Sequence, residues 1–130
     1  MFSIIIFNKL VILQQVLDFK MTLPDSPTLT HVFLHLLEDE KSHNMESIYQ
    51  ELIEYFELTE DDLEQMKKNG LQRIFQNRVQ WVKYHLKKSG FLRVQKNNSM
   101  KITKLGLTAL EENTQRISRS YIERNSKKHV

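Results

Sequence analysis

Between Gln65 and Leu110 the chain carries eleven bases, Lys67, Lys68, Arg73, Arg78, Lys83, Lys87, Lys88, Arg93, Lys96, Lys101 and Lys104, and no acid. The stretch before it is the reverse, with eleven acids from Glu38 to Glu64 against the single base Lys41. A net charge of +3 conceals this segregation. Positive charge concentrated in one supersecondary unit is an electrostatic footprint suited to a polyanion. Inside the basic stretch, Gln76, Asn77 and Gln80 bring paired donors and acceptors of the kind that read base edges, while Arg73, Lys83, Lys87, Lys88, Arg93, Lys96 and Lys101 suit phosphates. A solvated helix face is the alternative that charge by itself leaves open.

Other residue types that do chemistry are sparse. The chain has no cysteine, which removes disulfides, zinc ribbons and a thiol nucleophile and fits a reducing cytoplasm. His31 and His35 stand four apart, a spacing that seats a metal on a helix face, but no third ligand accompanies them and polar helix-face histidines are the preferred reading. Asp39-Glu40-Lys41 sets two acids beside a lysine at a helix end, without a second carboxylate cluster to share a metal. No nucleophile-base pair and no glycine-rich phosphate loop is visible. The expectation is a protein that is not an enzyme and needs neither cofactor nor metal.

These side chains need elements to position them. A length of 130 residues gives one compact core with room for an accessory helix at either end. With 40% hydrophobic and 27% charged residues, a folded domain is expected, and three glycines and two prolines predict mostly helix. Leu29, Val32, Phe33, Leu36 and Leu37 predict a first helix over Thr28 to Asp39. Asn44 caps a second over Met45 to Phe56, with Ile48, Leu52, Ile53 and Phe56 inward. Thr59 with Glu60, Asp61 and Asp62 resembles a capping box opening a short helix that ends near Lys68, closed by Asn69 and Gly70.

A longer helix, Leu71 to Ser89, repeats Ile74 or Phe75, Val79, Val82 and Leu86 at steps of three to four, with Gly90 as its stop. Trp81 lies between two core positions and is expected to pack helix against helix rather than to stack on a base. Arg78 suits either a phosphate or the acidic second helix. Then the period changes to two: Phe91 to Gln95 and Met100 to Thr103 flank Lys96-Asn97-Asn98-Ser99, a β-hairpin with Leu92, Val94, Met100 and Ile102 inward. Asparagine tolerates the left-handed backbone of such a turn. A last helix is expected from Thr103 past Leu110 towards Tyr121, packing Leu105, Leu107, Leu110 and Ile117, with Asn125 to Val130 fraying.

Residues 1 to 20 are strongly apolar but interrupted by Asn8 and Lys9, so no run approaches the roughly 18 to 20 residues of a membrane span. The segment lacks a basic start and a small-residue cleavage site. It reads as a packed or partner-covered extension, or as an in-frame leader ahead of a true start at Met21.

Three long helices with a short one ahead of the third, then a hairpin and a closing helix, with the most basic helix just before the hairpin, make the order of a winged helix. The residues themselves resemble a family. Phe75-Gln76-Asn77-Arg78-Val79-Gln80-Trp81, Leu86-Lys87-Lys88-Ser89-Gly90-Phe91-Leu92 and Ile102-Thr103-Lys104-Leu105-Gly106 are similar to the N-R-V-x-W, L-x-x-A-G-L and I-T-x-x-G patterns of the N-terminal domain of Mrr-type restriction proteins. Upstream, Leu23-Pro24 and the segment Glu57 to Met66 resemble that domain's opening and its acidic element. Ser89 stands in place of the usual alanine and Phe91 in place of leucine. The resemblance implies a DNA-recognition winged helix. The nuclease domain that follows it in the family, with paired acids and a lysine on a sheet, is not expected after Leu110, so DNA binding is carried over and cleavage is not.

The fold class expected is therefore mainly α with a two-stranded β-hairpin, a winged helix-turn-helix. The domains expected are an apolar extension at 1–20, the winged helix at 21–112 and a helical extension with a frayed tail at 113–130. Double-stranded DNA is the expected partner, contacted by Arg73, Gln76, Asn77, Gln80, Lys83, Lys87, Lys88, Arg93, Lys96, Asn97 and Lys101. The helix at about 71–89 would enter the major groove and the wing at 91–103 would lie on the backbone. The setting expected is cytoplasmic, on the nucleoid when bound, in a restriction system or in transcription regulation. The alternative is a protein-interaction or homodimerisation module using residues 1–20 or the last helix.

Overall fold

A computed structural model of the protein describes residues 23–126. The expectations for residues 1–20 and for the end of the tail, 127–130, lie outside the described residues. Within them the elements are α1 (Ser26–Leu36), α2 (Met45–Tyr55), α3 (Glu60–Lys68), α4 (Leu71–Ser89), β1 (Leu92–Val94), β2 (Met100–Ile102), α5 (Lys104–Glu112) and α6 (Arg119–Asn125). The domain is mainly helical with one antiparallel hairpin, and the arrangement fits a winged helix.

Capping chemistry explains where the helices start. Asp25 accepts from the Thr28 amide at 3.0 Å, ahead of Pro27 in the first turn of α1, where a missing amide proton costs nothing. Asn44 accepts from the Ser47 amide at 2.7 Å to open α2. Thr59 and Asp62 form the reciprocal capping box at α3, with Glu60, Asp61 and Asp62 on the positive end of the helix dipole. Gly90, at φ 87°, takes the left-handed position that ends α4.

One core unites the elements. Leu29 and Phe33 of α1, Ile48 and Leu52 of α2, Met66 of α3, Phe75, Val79 and Leu86 of α4, and Phe91 and Met100 of the hairpin are all buried together. The hairpin pairs Leu92 with Ile102, Arg93 with Lys101 and Val94 with Met100. Leu92, Met100 and Ile102 are buried and Val94 half-buried, as their alternation predicts. His43 adds a third, one-residue bridge to Met100, exchanging backbone bonds of 3.0 and 2.7 Å. The loop before α2 is thereby fastened to the wing.

The end of the hairpin is tied to the end of α4 by Thr103. Its hydroxyl donates to the Gly90 carbonyl at 2.7 Å and accepts from the Gly106 amide at 3.2 Å, while its amide donates to the Phe91 carbonyl at 3.1 Å. Gly106 sits where α5 crosses this knot. A Cβ there would collide with the Phe91 carbonyl oxygen and lie 2.7 Å from Ile102 Cγ1.

The single closing helix expected from Thr103 towards Tyr121 is instead two. The chain leaves α5 at Asn113, whose backbone is extended and whose side-chain amide donates to the Ala109 carbonyl at 2.9 Å, competing with continuation of the helix. Arg116 then meets Asp25 at 2.6 Å, the Ile117 amide donates to the Pro27 carbonyl, and Ser118 caps α6. This return buries Ile117, Tyr121 and Ile122 in the common core. The Tyr121 hydroxyl donates to Glu112 at 2.6 Å. Burial, reinforced by that carboxylate, pushes its pKa up to about 12.

Two outcomes follow for stability. Gly106→Ala is expected to cost about 1–3 kcal/mol by overpacking, read as a lower midpoint in chemical denaturation. The Thr28 hydrogen bonds hold the Asp25 carboxyl below its ordinary value, and the His43 hydrogen bond does the same for Asp39. Groups with lowered folded pKa values give stability that is present above the ordinary carboxylate range and is lost as pH falls through it. Melting temperature should therefore drop as pH is lowered below about 4. Asn caps as well as Asp but does not titrate, so Asp25→Asn should make that drop shallower, at a cost below about 1 kcal/mol at neutral pH because the Arg116 pair is solvent-exposed.

Candidate nucleic-acid interface

The sequence of α4 fixes its rotation. Phe75, Val79, Val82 and Leu86 recur at steps of four, three and four and form one buried stripe. The ridge of polar side chains is turned away from that stripe. Arg73, Gln76, Asn77, Gln80, Lys87 and Lys88 are exposed and Lys83 is half-buried. Neither Gln76 nor Gln80 is packed inside. By helical spacing, Gln76, Gln80, Lys83 and Lys87 form one ridge, with Arg73 and Asn77 beside it.

That ridge faces the start of α2. Gln76, Asn77 and Gln80 line a shallow cleft with Met45, Glu46, Tyr49 and Gln50. The Gln76 side chain hydrogen-bonds the Tyr49 hydroxyl, whose pKa is nevertheless pushed up by burial. Tyr49 in turn packs on Phe75, with ring centroids 5.7 Å apart. Glu46 is the one acid among the described residues lining this cleft.

The wing joins the same neighbourhood through the residues just ahead of α2. The Ser42 hydroxyl, one residue before the His43 bridge, donates to the Gln95 side chain at 2.7 Å. Arg93 is exposed on β1 directly opposite Lys101, half-buried on β2, so the two cations are side by side. Lys96, Asn97 and Asn98 form the exposed tip. Asn97 turns its side-chain oxygen inward, accepting from the Ser99 amide at 3.1 Å and the Ser99 hydroxyl at 2.6 Å. Asn98 takes the left-handed backbone, φ 64°, that the turn requires.

Two α4 residues depart from expectation. Arg78 meets neither a phosphate-like position nor the acids of α2, and its guanidinium donates to the Pro24 carbonyl at 2.8 Å, anchoring the approach to α1. Trp81 is not packed between helices but 61% exposed. It stands far round the helix from the buried stripe, a displacement that helical spacing displays even though its sequence neighbours Val79 and Val82 are core. Its ring is near-parallel to His85 at 5.7 Å and edge-on to Tyr84 at 5.7 Å, and the Lys88 ammonium lies 5.7 Å over the Tyr84 ring. Ile74, Trp81, His85 and Lys88 border a groove of about 870 Å³ between α4, the start of α1 and α6. Burial, with Arg119 and Lys88 nearby, holds the His85 pKa below the usual histidine value.

On α1 the His31 and His35 rings stack on each other at 6.3 Å, and His35 also meets Glu38 at 3.0 Å. Among the described residues no group of three or more His, Asp or Glu is placed to hold a metal. No helix among them is long and apolar enough to cross a membrane.

A mainly helical domain whose longest helix leads into a two-stranded wing is a winged-helix-like domain. The chain belongs to the Mrr N-terminal domain family, whose model matches residues 28–112. No curated protein and no solved structure matches the chain. The motifs that carry the resemblance have physical roles here: Arg78 holds Pro24, Gly90 ends α4, and Thr103 with Gly106 closes the hairpin.

The tip of the wing gives a direct check on this geometry. Asn98→Val should lower stability by about 1–2 kcal/mol, because a β-branched residue resists the left-handed conformation, whereas Asn98→Gly should be neutral or mildly stabilising. Thermal melts of the two variants distinguish these outcomes.

Proposed function

We propose that this chain is a non-enzymatic module that binds double-stranded DNA, with α4 in the major groove and the β1–β2 wing on the sugar-phosphate backbone. The observations that support this most are the exposed ridge of α4, polar, cationic and acid-free, and the exposed basic tip of the wing. In this reading Arg73, Lys83, Lys87, Lys88, Arg93, Lys96 and Lys101 neutralise phosphates. Gln76, Asn77 and Gln80 meet base edges, while the Asn97 amide nitrogen, left over by the turn, reaches the backbone. Membership of the Mrr N-terminal domain family supports a place in a restriction system. A cytoplasmic, nucleoid-associated setting, in restriction or in regulation, follows from the same reading.

The dimerisation alternative draws less support from the last helix, because Tyr121 and Ile122 of α6 are buried against the chain's own core. It rests instead on residues 1–20, outside the described residues.

The decisive experiment is a gel shift of the purified chain against duplex DNA across a salt series. If about five phosphates are neutralised, log K against log salt should fall with a slope of about −4 to −5. Lys87→Glu should weaken binding to all sequences alike, whereas Gln80→Ala should reduce discrimination at one base pair by about 1–3 kcal/mol. Association that ignores salt, or none at tens of micromolar protein, would rule the reading out.

A further inference from the structure

A paired duplex accounts for the ridge of α4 but not for its other flank. Trp81 is 61% exposed and Ile74 46%, bordering a groove whose floor includes Ile117 and Ile122. In a duplex the faces of the bases are covered by their neighbours, and a helix in the major groove meets only base edges. A broad indole face on such a helix gains little from paired DNA. An unpaired base is different, since it offers a free π face of matching size, and stacking of that kind is tolerant of sequence.

The surroundings favour a nucleotide over other flat ligands. Among the described residues the lining cations are Arg78, Lys88 and Arg119, and the lining acid, Glu123, is already paired with Arg119 at 3.3 Å. The net charge of the rim is thus positive beside an apolar floor, complementary to a base carrying its phosphate. His85 lies under the indole as a second ring, near-parallel to it at 26°. The volume of about 870 Å³ falls within the range of roughly 300–1,000 Å³ typical of small-ligand sites. A second copy of the chain fits less well. A two-fold contact places a patch against itself, and here it would set one net-positive rim on another.

We infer that the groove between α4 and α6 is a stacking site for an unpaired nucleobase, extruded from a duplex or lying in a single-stranded stretch, with Trp81 as its platform. The inference rests on the DNA-binding reading above and deepens it. The domain would prefer DNA in which a base is already out of the stack, because such DNA offers both the backbone that α4 and the wing contact and the ring that Trp81 receives.

Trp81 is the chain's one tryptophan, so its fluorescence reports the groove directly. The full chain is titrated with a paired 20-mer duplex, with the same duplex carrying one extrahelical thymine, and with a single strand of the same length. Expected is at least about 5-fold tighter binding of the bulged duplex than of the paired one, with quenching of Trp81 emission. Trp81→Ala should abolish that preference and leave paired-duplex affinity unchanged, and Trp81→Phe should keep part of it. The side chain is exposed, so neither variant should disturb folding, which circular dichroism verifies. Equal affinity for both duplexes, or a preference that survives in Trp81→Ala, overturns the inference. So does a Trp81 emission that shifts with protein concentration in the absence of DNA while light scattering shows a doubled mass, since the groove then belongs to a second copy. Paired-duplex binding with Trp81 indifferent to every unpaired base sinks the stacking site and leaves the duplex reading standing. Quenching by the single strand with no binding of paired duplex does the opposite.

Discussion

The rotation of α4 about its own axis is the constraint on which the proposed DNA-contacting surface depends. Phe75, Val79, Val82 and Leu86 must all be buried, and a helix that buries a stripe this narrow has no freedom over what its other faces present. A slip of one residue would swing Gln76 and Gln80 towards the core, where their amides would lose water without gaining partners. The ridge of glutamines and lysines is therefore a consequence of core packing. Its exposure needs no separate device.

Direction along the helix is settled at two points. Arg78, midway along α4, holds the Pro24 carbonyl, and at the C-terminal end Gly90, Thr103 and Gly106 bring α4, the hairpin and α5 within hydrogen-bond and contact distance. The wing has only three paired positions of its own, too few for an isolated hairpin to be stable in water. It stands because Met100 and Leu92 are buried and because His43 adds a bridge from the other side. The acids, meanwhile, occupy positions where they have structural work: Asp25 and Asp62 cap helices, and Glu60 and Asp61 face the dipole of α3. Removing negative charge from the α4–wing unit and placing it at helix starts serves both stability and surface potential.

Much of this was legible in the residues because it depends on local chemistry. Asn44, the Thr59–Asp62 box, Gly90 and the Asn98 turn act within four residues of themselves, and each does what its type and spacing predict. The buried stripe of α4 was legible for the same reason. What escaped depends on partners distant in sequence. The break at Asn113 yields a route back across Pro27 and Asp25, roughly ninety residues upstream, and no local pattern announces it. Arg78 was undecided because its partner is a backbone carbonyl, invisible to any count of charges. Trp81 was misjudged from its neighbours in sequence, although neighbours on a helix are the residues three and four away.

The exposure of Trp81 also carries an energetic argument. A tryptophan buries about 150–250 Å² when covered, so leaving three fifths of it in water forgoes about 2–4 kcal/mol at roughly 25 cal/mol per Å². Net stabilities of small domains are only about 5–15 kcal/mol. The same chain takes trouble to bury Tyr121 of α6, the element that walls the groove, giving its hydroxyl the Glu112 carboxylate of α5 as partner at 2.6 Å. A fold that can supply a buried phenol with a partner is not short of ways to cover an indole. The aromatic flank of α4 is thus better understood as surface kept open for a ligand than as core left unfinished, and the cations around its rim indicate the charge that ligand brings.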